Sequence, residues 1–229
     1  MLLHVRTGKG SATESVMDAG IKSSQDCLSR TFLGLQISTF DWKVALARAE
    51  ELALSKGEPA TLSFLDERKL ASALLGLGSR DASKRQLLLP AGGVFLRLLL
   101  KFVWRRKQAE EVFSPAGFIS ALLTYFAVPR RIGLAGEDKV RVEALCLYFG
   151  RHTPWHEFVA ITPDTHMLGR IDLVIADTAD AVAERNMQLR LGDHDIGLVI
   201  IAGRGLSRLA RPKKTTKSAQ PSISKPSFA

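Results

Sequence analysis

The chain has 229 residues, 46% of them hydrophobic, which is enough to bury one substantial core without disulfides or a structural metal. Its two cysteines, Cys27 and Cys146, lie far apart and outside any CxxC or Cys/His ligand spacing, so the composition excludes a disulfide framework and a zinc site and points to reduced thiols in a cytoplasmic setting. A net charge of +9 calls for an anionic partner, whether nucleic acid, nucleotide phosphate or an acidic membrane surface.

Residues 1–30 are rich in Ser, Gly, Lys and Asp without a sustained apolar period, which predicts a mobile leader; the first ten residues lack the apolar core of a secretory signal. An ordered domain is expected over 31–211. Phe32, Leu33, Leu35 and Ile37 predict a first strand, and Thr39 or Asp41 can cap the helix after it. In that helix Trp42, Ala45, Leu46, Ala49, Leu52 and Ala53 recur at helical spacing, and Gly57 and Pro59 punctuate its end. A strand over 61–65 and a helix over 66–77 follow. The strand at 86–89 precedes a turn at Pro90, Ala91, Gly92 and Gly93, and 94–108 reads as an apolar helix with a basic end. Ser114 or Pro115 opens a helix reaching 127, with a strand at 131–135, a helix at 137–149 and a strand at 157–161 beyond it. The continuous apolar runs at 171–176 and 196–202 are those of central parallel strands, joined by a helix over 179–191. After Asp195 no acidic residue occurs while Lys and Arg accumulate, so 212–229 is expected to be a disordered basic tail.

This alternation predicts an α/β fold: a mostly parallel twisted sheet with helices on both faces, Rossmann-like, with ligands gathering at the carboxyl ends of the strands. The turn Leu89-Pro90-Ala91-Gly92-Gly93 suits either a tight turn or a ligand approaching the backbone at a helix start. At the turn Leu134-Ala135-Gly136-Glu137 the acid would repel a phosphate. His152 and His156 are four apart, but Pro154 breaks the helix that would align them, and His166 and His194 complete no recognised metal spacing, so no metal is expected. There is neither a GxSxG elbow nor a Walker loop. The stretch 87–104 is interrupted by Pro90, Gly92, Gly93, Arg97 and Lys101 and is too polar to span a bilayer. Within 96–107, however, Trp104 at an interface and Arg97, Lys101, Arg105, Arg106 and Lys107 among headgroups would suit a helix lying on an anionic membrane; a core helix with a solvated basic end is the alternative. No nucleic-acid reading motif or aromatic platform accompanies the basic tail, so a nucleic-acid partner is not expected.

Taken together, Ile37 to Trp42 with the alanine-rich helix behind it, the Leu-Pro-Ala-Gly turn at 89–92, the 131–136 and 143–154 segments, and the strand, helix, strand unit over 171–202 resemble the WecG/TagA/CpsF family of bacterial glycosyltransferases. The resemblance implies metal-free transfer of a sugar from a UDP-sugar to a polyprenyl-diphosphate-linked acceptor, in exopolysaccharide or cell-envelope glycan synthesis, by a cytoplasmic protein peripheral on the inner face of the membrane. It implies no cofactor beyond the donor, and leaves the oligomeric state open. On the same resemblance Ser63, Ala91, Gly92, Gly93 and Gly136 stand where the family contacts substrate. This chain departs from the family at the chemistry: Ala91 replaces its general-base Asp, Ser63-Phe64-Leu65 its Thr-x-Asn, Glu137 its second turn glycine, and Ala179-Asp180-Ala181-Val182 its Pro-Lys-Gln-Glu loop. Asp66 and Glu67, on the loop after the second expected strand, are the candidates to take over as base. The competing reading is a catalytically inactive relative that acts as a partner or regulator in glycan assembly.

Overall fold

The computed structural model describes residues 29–32, 35–75, 85–91, 112–162, 169–192, 194–206 and 209. Six strands form one parallel sheet: β3 (Ala60–Leu65), β4 (Gln86–Pro90), β5 (Arg131–Gly136), β6 (Glu157–Ile161), β7 (Ile171–Asp177) and β8 (Ile196–Ile201), in the order β4-β3-β8-β7-β5-β6. The α/β reading therefore holds, and the two apolar runs expected at the centre are the central strands β7 and β8. Burial on both faces explains their hydrophobicity: every residue of β8 is buried, and β7 departs from the pattern only at the partly buried Asp172 and Asp177.

Helices cover both faces. On one lie α1 (Trp42–Leu54), α3 (Pro115–Tyr125) and α4 (Lys139–His152), whose Ala49, Leu122 and Phe149 share a core with Leu62, Leu134, Leu173 and Ile200. The other face carries α5 (Ala181–Leu191), with Met187 and Leu191 against Val174, Ala176 and Val199, and α2 (Glu67–Leu74), with Leu70 against Leu65 and Leu88. Strand parity decides which side chain meets which layer, since successive residues point to opposite faces.

Helix starts follow the capping residues. Asp41 caps α1 through the Val44 N–H at 2.8 Å, Ser114 caps α3 with Pro115 at its first position, Asp138 caps α4 and Asp180 caps α5. The helix expected to begin at Glu137 thus begins two residues later, because the Asp138 carboxylate accepts the Arg141 N–H and holds Asp138 itself extended. The helix expected over 66–77 is described as Glu67–Leu74, with residues 76 and 77 outside the described residues.

The first expected strand is corrected. It is two short strands, β1 (Ser29–Phe32) and β2 (Leu35–Ser38), paired antiparallel with Phe32 opposite Leu35, and outside the six-stranded sheet. An apolar run carries the same signal whether the chain continues or doubles back, and only the pairing distinguishes them. β1 begins two residues ahead of the expected domain boundary at 31; the rest of the expected leader, the expected helix at 94–108 and the expected tail at 212–229 lie outside the described residues.

Candidate site at the carboxyl rim of the sheet

All six strands end on one rim, and those site residues expected from sequence that are described fall at or near it in two groups. The first is at β3 and β4. In the register Leu65 pairs with Pro90, and the Ala91 N–H donates to the Leu65 carbonyl at 3.0 Å. Asp66 follows Leu65 directly, so Asp66 and Ala91 each stand one residue past the last register pair of β3 and β4. Behind Ala91 the chain is pinned again, by the Phe113 N–H to the Pro90 carbonyl at 2.9 Å and a parallel bridge between Ala91 and Phe113. Phe113 in turn stacks on Trp42 with centroids 5.2 Å apart and meets Phe118 edge-on at 5.6 Å, giving this corner an aromatic floor.

Asp66 is exposed, and its Oδ1 accepts the Lys69 N–H at 2.9 Å, which orients the carboxylate over the first turn of α2. Glu67 is exposed in that same turn. Ala91 is buried. Ser63 lies two residues inside the end of β3, only 1% exposed, between Leu88 and Ile201 in register, and its hydroxyl has no hydrogen-bond partner among the described residues. Gly92, Gly93 and the expected membrane-facing Arg97, Lys101, Trp104, Arg105, Arg106 and Lys107 lie outside the described residues.

The second group is at β5 and β7. The chain leaves β5 into α4 on one face and leaves β7 into α5 on the other, which makes the crevice between them a topological switch point of the kind that receives ligands in open α/β sheets. Gly136 pairs with Asp177 across this crevice. A Cβ on Gly136 would stand 2.8 Å from Val142 Cγ2, so the missing side chain lets α4 start close against the strand. Over the strand ends Arg141 grips Asp177 with a forked pair: Nη2 donates to Oδ1 at 3.0 Å, and Nε donates to Oδ2. Sequence reasoning missed both residues. The available signal was an acid terminating a largely apolar strand.

The rim thus sets Asp66 and Ala91 at the ends of paired strands, with Glu67 in the turn after Asp66, and places Gly136 at a different point along it. Four strand spacings, roughly 19 Å, separate β4 from β5. Carboxylates recur along it, because the helices after β3, β5 and β7 each start on an Asp cap, at Asp66, Asp138 and Asp180. Lys69 bridges two of these helices, its Nζ 3.0 Å from Glu184 Oε1.

At the opposite end of the sheet a cleft of about 150 Å³, lined by Arg48, Glu51, Leu52, Ser55, Arg85, Gln86 and Leu87, includes none of the expected residues. It falls below the several hundred Å³ of a typical small-molecule site. Both ring nitrogens of His156 are committed to backbone: Nδ1 accepts the Arg130 N–H at 3.0 Å and Nε2 donates to the Leu123 carbonyl at 2.7 Å. Among the described residues no three His, Cys, Asp or Glu side chains come together to hold a metal ion, and no described helix is long and apolar enough to cross a membrane. The thiol of Cys146 is pushed up to about 11, first by burial and then by the charge of Glu143. No protein-family model matches the chain, and no curated protein matches it.

Proposed function

We propose that the chain is a sugar transferase of the WecG/TagA/CpsF type, moving a sugar from a UDP-sugar to a polyprenyl-diphosphate-linked acceptor, with Asp66 as the general base in place of the carboxylate missing at Ala91. The observation that carries this reading is the register of β3 and β4, which sets Asp66, with its exposed, backbone-oriented carboxylate, and Ala91, where the resemblance expects one, each one residue past the same strand pair. In the reaction Asp66 takes the proton of the acceptor hydroxyl as that oxygen bonds to the anomeric carbon, and the bond from that carbon to the UDP oxygen breaks, releasing UDP. The aromatic floor of Trp42, Phe113 and Phe118 lies beside Ala91, which Phe113 bridges. Attachment to an anionic membrane through Arg97, Lys101, Trp104 and Arg105 to Lys107 belongs to the same proposal, and vesicle flotation with anionic against neutral lipid tests it.

A general base is typically worth about 10²–10⁴ in rate. Asp66→Asn is a clean test because Asn retains helix-capping ability while losing the basic oxygen. Transfer of radiolabelled sugar from UDP-sugars into a lipid extract should fall by about 10²-fold or more in this variant. Equal rates in Asp66→Asn, Glu67→Gln and the parent would remove the assignment.

The alternative, a non-catalytic partner in glycan assembly, is favoured by a different observation. The Arg141 guanidinium at the switch point is already taken up by Asp177, and Asp138 and Asp180 occupy the helix starts where a diphosphate would otherwise be welcome. Calorimetry with UDP separates the readings: heat of binding supports the transferase, and its absence together with no transfer supports the partner.

A further inference from the structure

The two edges of the sheet are unequal. The β4 edge carries Pro90, lies beside β2, and is bridged by Phe113 at its end. The β6 edge, at the other side, reads Glu157-Phe158-Val159-Ala160-Ile161 and pairs only with β5 among the described residues. The strand itself carries no Lys, no Pro and no bulge, features that blunt an edge, and its one charge, Glu157, is turned to Arg131 of β5 at 3.3 Å.

Backbone polarity along β6 sets which groups face outward. The Glu157 N–H donates to the Arg130 carbonyl, so Glu157, Val159 and Ile161 direct their backbone groups to β5. Phe158 and Ala160 therefore direct theirs away from the sheet. Side chains beside this edge are exposed and aromatic. Trp155, 46% exposed, packs on His156 at 5.6 Å, His156 on Phe158 at 6.3 Å, and Phe158 stacks on Phe149, which Tyr148 covers while 38% exposed.

We infer that the β6 edge is a homodimer interface, in which β6 pairs antiparallel with β6 of a second copy about a two-fold axis at Val159. This goes beyond the transferase reading and does not depend on it. A second copy is the occupant the edge itself specifies. With Val159 on the axis, the outward backbone groups of Phe158 meet those of the partner's Ala160, and those of Ala160 meet the partner's Phe158, so every outward donor and acceptor of the strand centre is matched. Large Phe158 lies across from small Ala160 on one face, and Val159 meets the partner's Val159 in a close, non-hydrogen-bonded pair on the other. Glu157 faces the partner's Ile161, so no like charges oppose each other. The contact is isologous and closes at two subunits, joining the two sheets into one.

Sedimentation equilibrium of the full chain should give twice its 25.1 kDa mass, and Val159→Lys, which sets two cations face to face on the axis, should weaken association about a hundredfold with an unchanged circular dichroism spectrum. Val159→Cys should form an intermolecular disulfide on mild oxidation, because Cα atoms across such a pair lie about 4.5 Å apart, whereas Ala160→Cys should not. The parent, with its own Cys27 and Cys146, is the blank. A monomer from low to high micromolar concentration overturns the inference. So does a dimer that Val159→Lys leaves intact, or a Val159→Cys chain that cross-links no better than the parent.

Discussion

Gly197 in β8 lies where the end of α1 presses on the sheet, and its replacement by Ala tests the packing that builds the fold. A methyl group there would stand 1.9 Å from the Ala53 carbonyl oxygen, 2.6 Å from the Ala53 carbonyl carbon and 2.8 Å from the Asp172 oxygen. All three are backbone atoms, so no rotamer change relieves the contact. The shortest is about 1.5 Å inside ordinary contact, and α1 must lift by a comparable amount. That shift also disturbs Arg170, whose Nη2 donates to the Ala53 carbonyl at 3.3 Å and to the Ser55 carbonyl at 2.8 Å while the rest of the guanidinium pairs with Asp172 and Asp195. Overpacking typically costs about 1–3 kcal/mol, and a backbone clash with loss of these bonds places Gly197→Ala near the top, about 3 kcal/mol. At about 2–4 °C per kcal/mol for a chain of this size, Tm should fall by about 6–12 °C. Gly150→Ala is the control: in the last turn of α4 the added methyl meets only Phe158 Cδ2 at 3.8 Å, so the same change should be neutral or stabilise by up to about 0.5 kcal/mol. Thermal and urea melts followed by circular dichroism read both. A Gly197→Ala melt within 2 °C of the parent would refute the reasoning.

His156→Phe keeps the edge-on ring contact with Phe126 but leaves the Arg130 N–H and the Leu123 carbonyl without their partner, at a cost of about 3 kcal/mol in urea unfolding. Asp180→Ala removes the acceptor of the Val182 and Ala183 N–H groups and should cost about 1 kcal/mol, whereas Asp180→Asn should cost only a fraction of that. For Cys146 the folded pKa of about 11 exceeds the ordinary 9.0, so the unfolded chain loses its proton first. The thiol's contribution to stability is whole below pH 9 and is lost as pH rises from 9 towards 11. In a Cys27→Ser background the alkylation rate of Cys146 should inflect near pH 11, and Glu143→Gln should lower that inflection; one near pH 9 in the parent would contradict the burial argument.

Much of the fold was legible in the residues. The largely apolar runs of β7 and β8 report burial on both faces, and such strands sit in the middle of a parallel sheet. Asp41 and Ser114 are short polar residues read as caps ahead of apolar periods, and each caps a helix; Asp138 and Asp180, read as lying inside their helices, cap them instead. The hairpin of β1 and β2 was not legible, because apolar content does not encode the reversal of the chain. At the site, the residue types were readable one segment at a time. Asp66 was a candidate because an acid followed a strand, but its alignment with Ala91 depends on β3 pairing with β4. The grip of Arg141 on Asp177 joins residues 36 apart and had no local signature.

The chain's own sequence determined the alternation of strands and helices, their caps and the layers that are buried, since these follow from local propensity and from hydrophobic periods of two and 3.6 residues. Strand order was decided only by the assembled sheet, and with it the crevice between β5 and β7, the alignment of Asp66 with Ala91, and the edge at β6. The reason is physical. Parallel strands are joined by crossovers that reveal nothing about which strand lies beside which, and that choice is made by the packing of distant segments against one another.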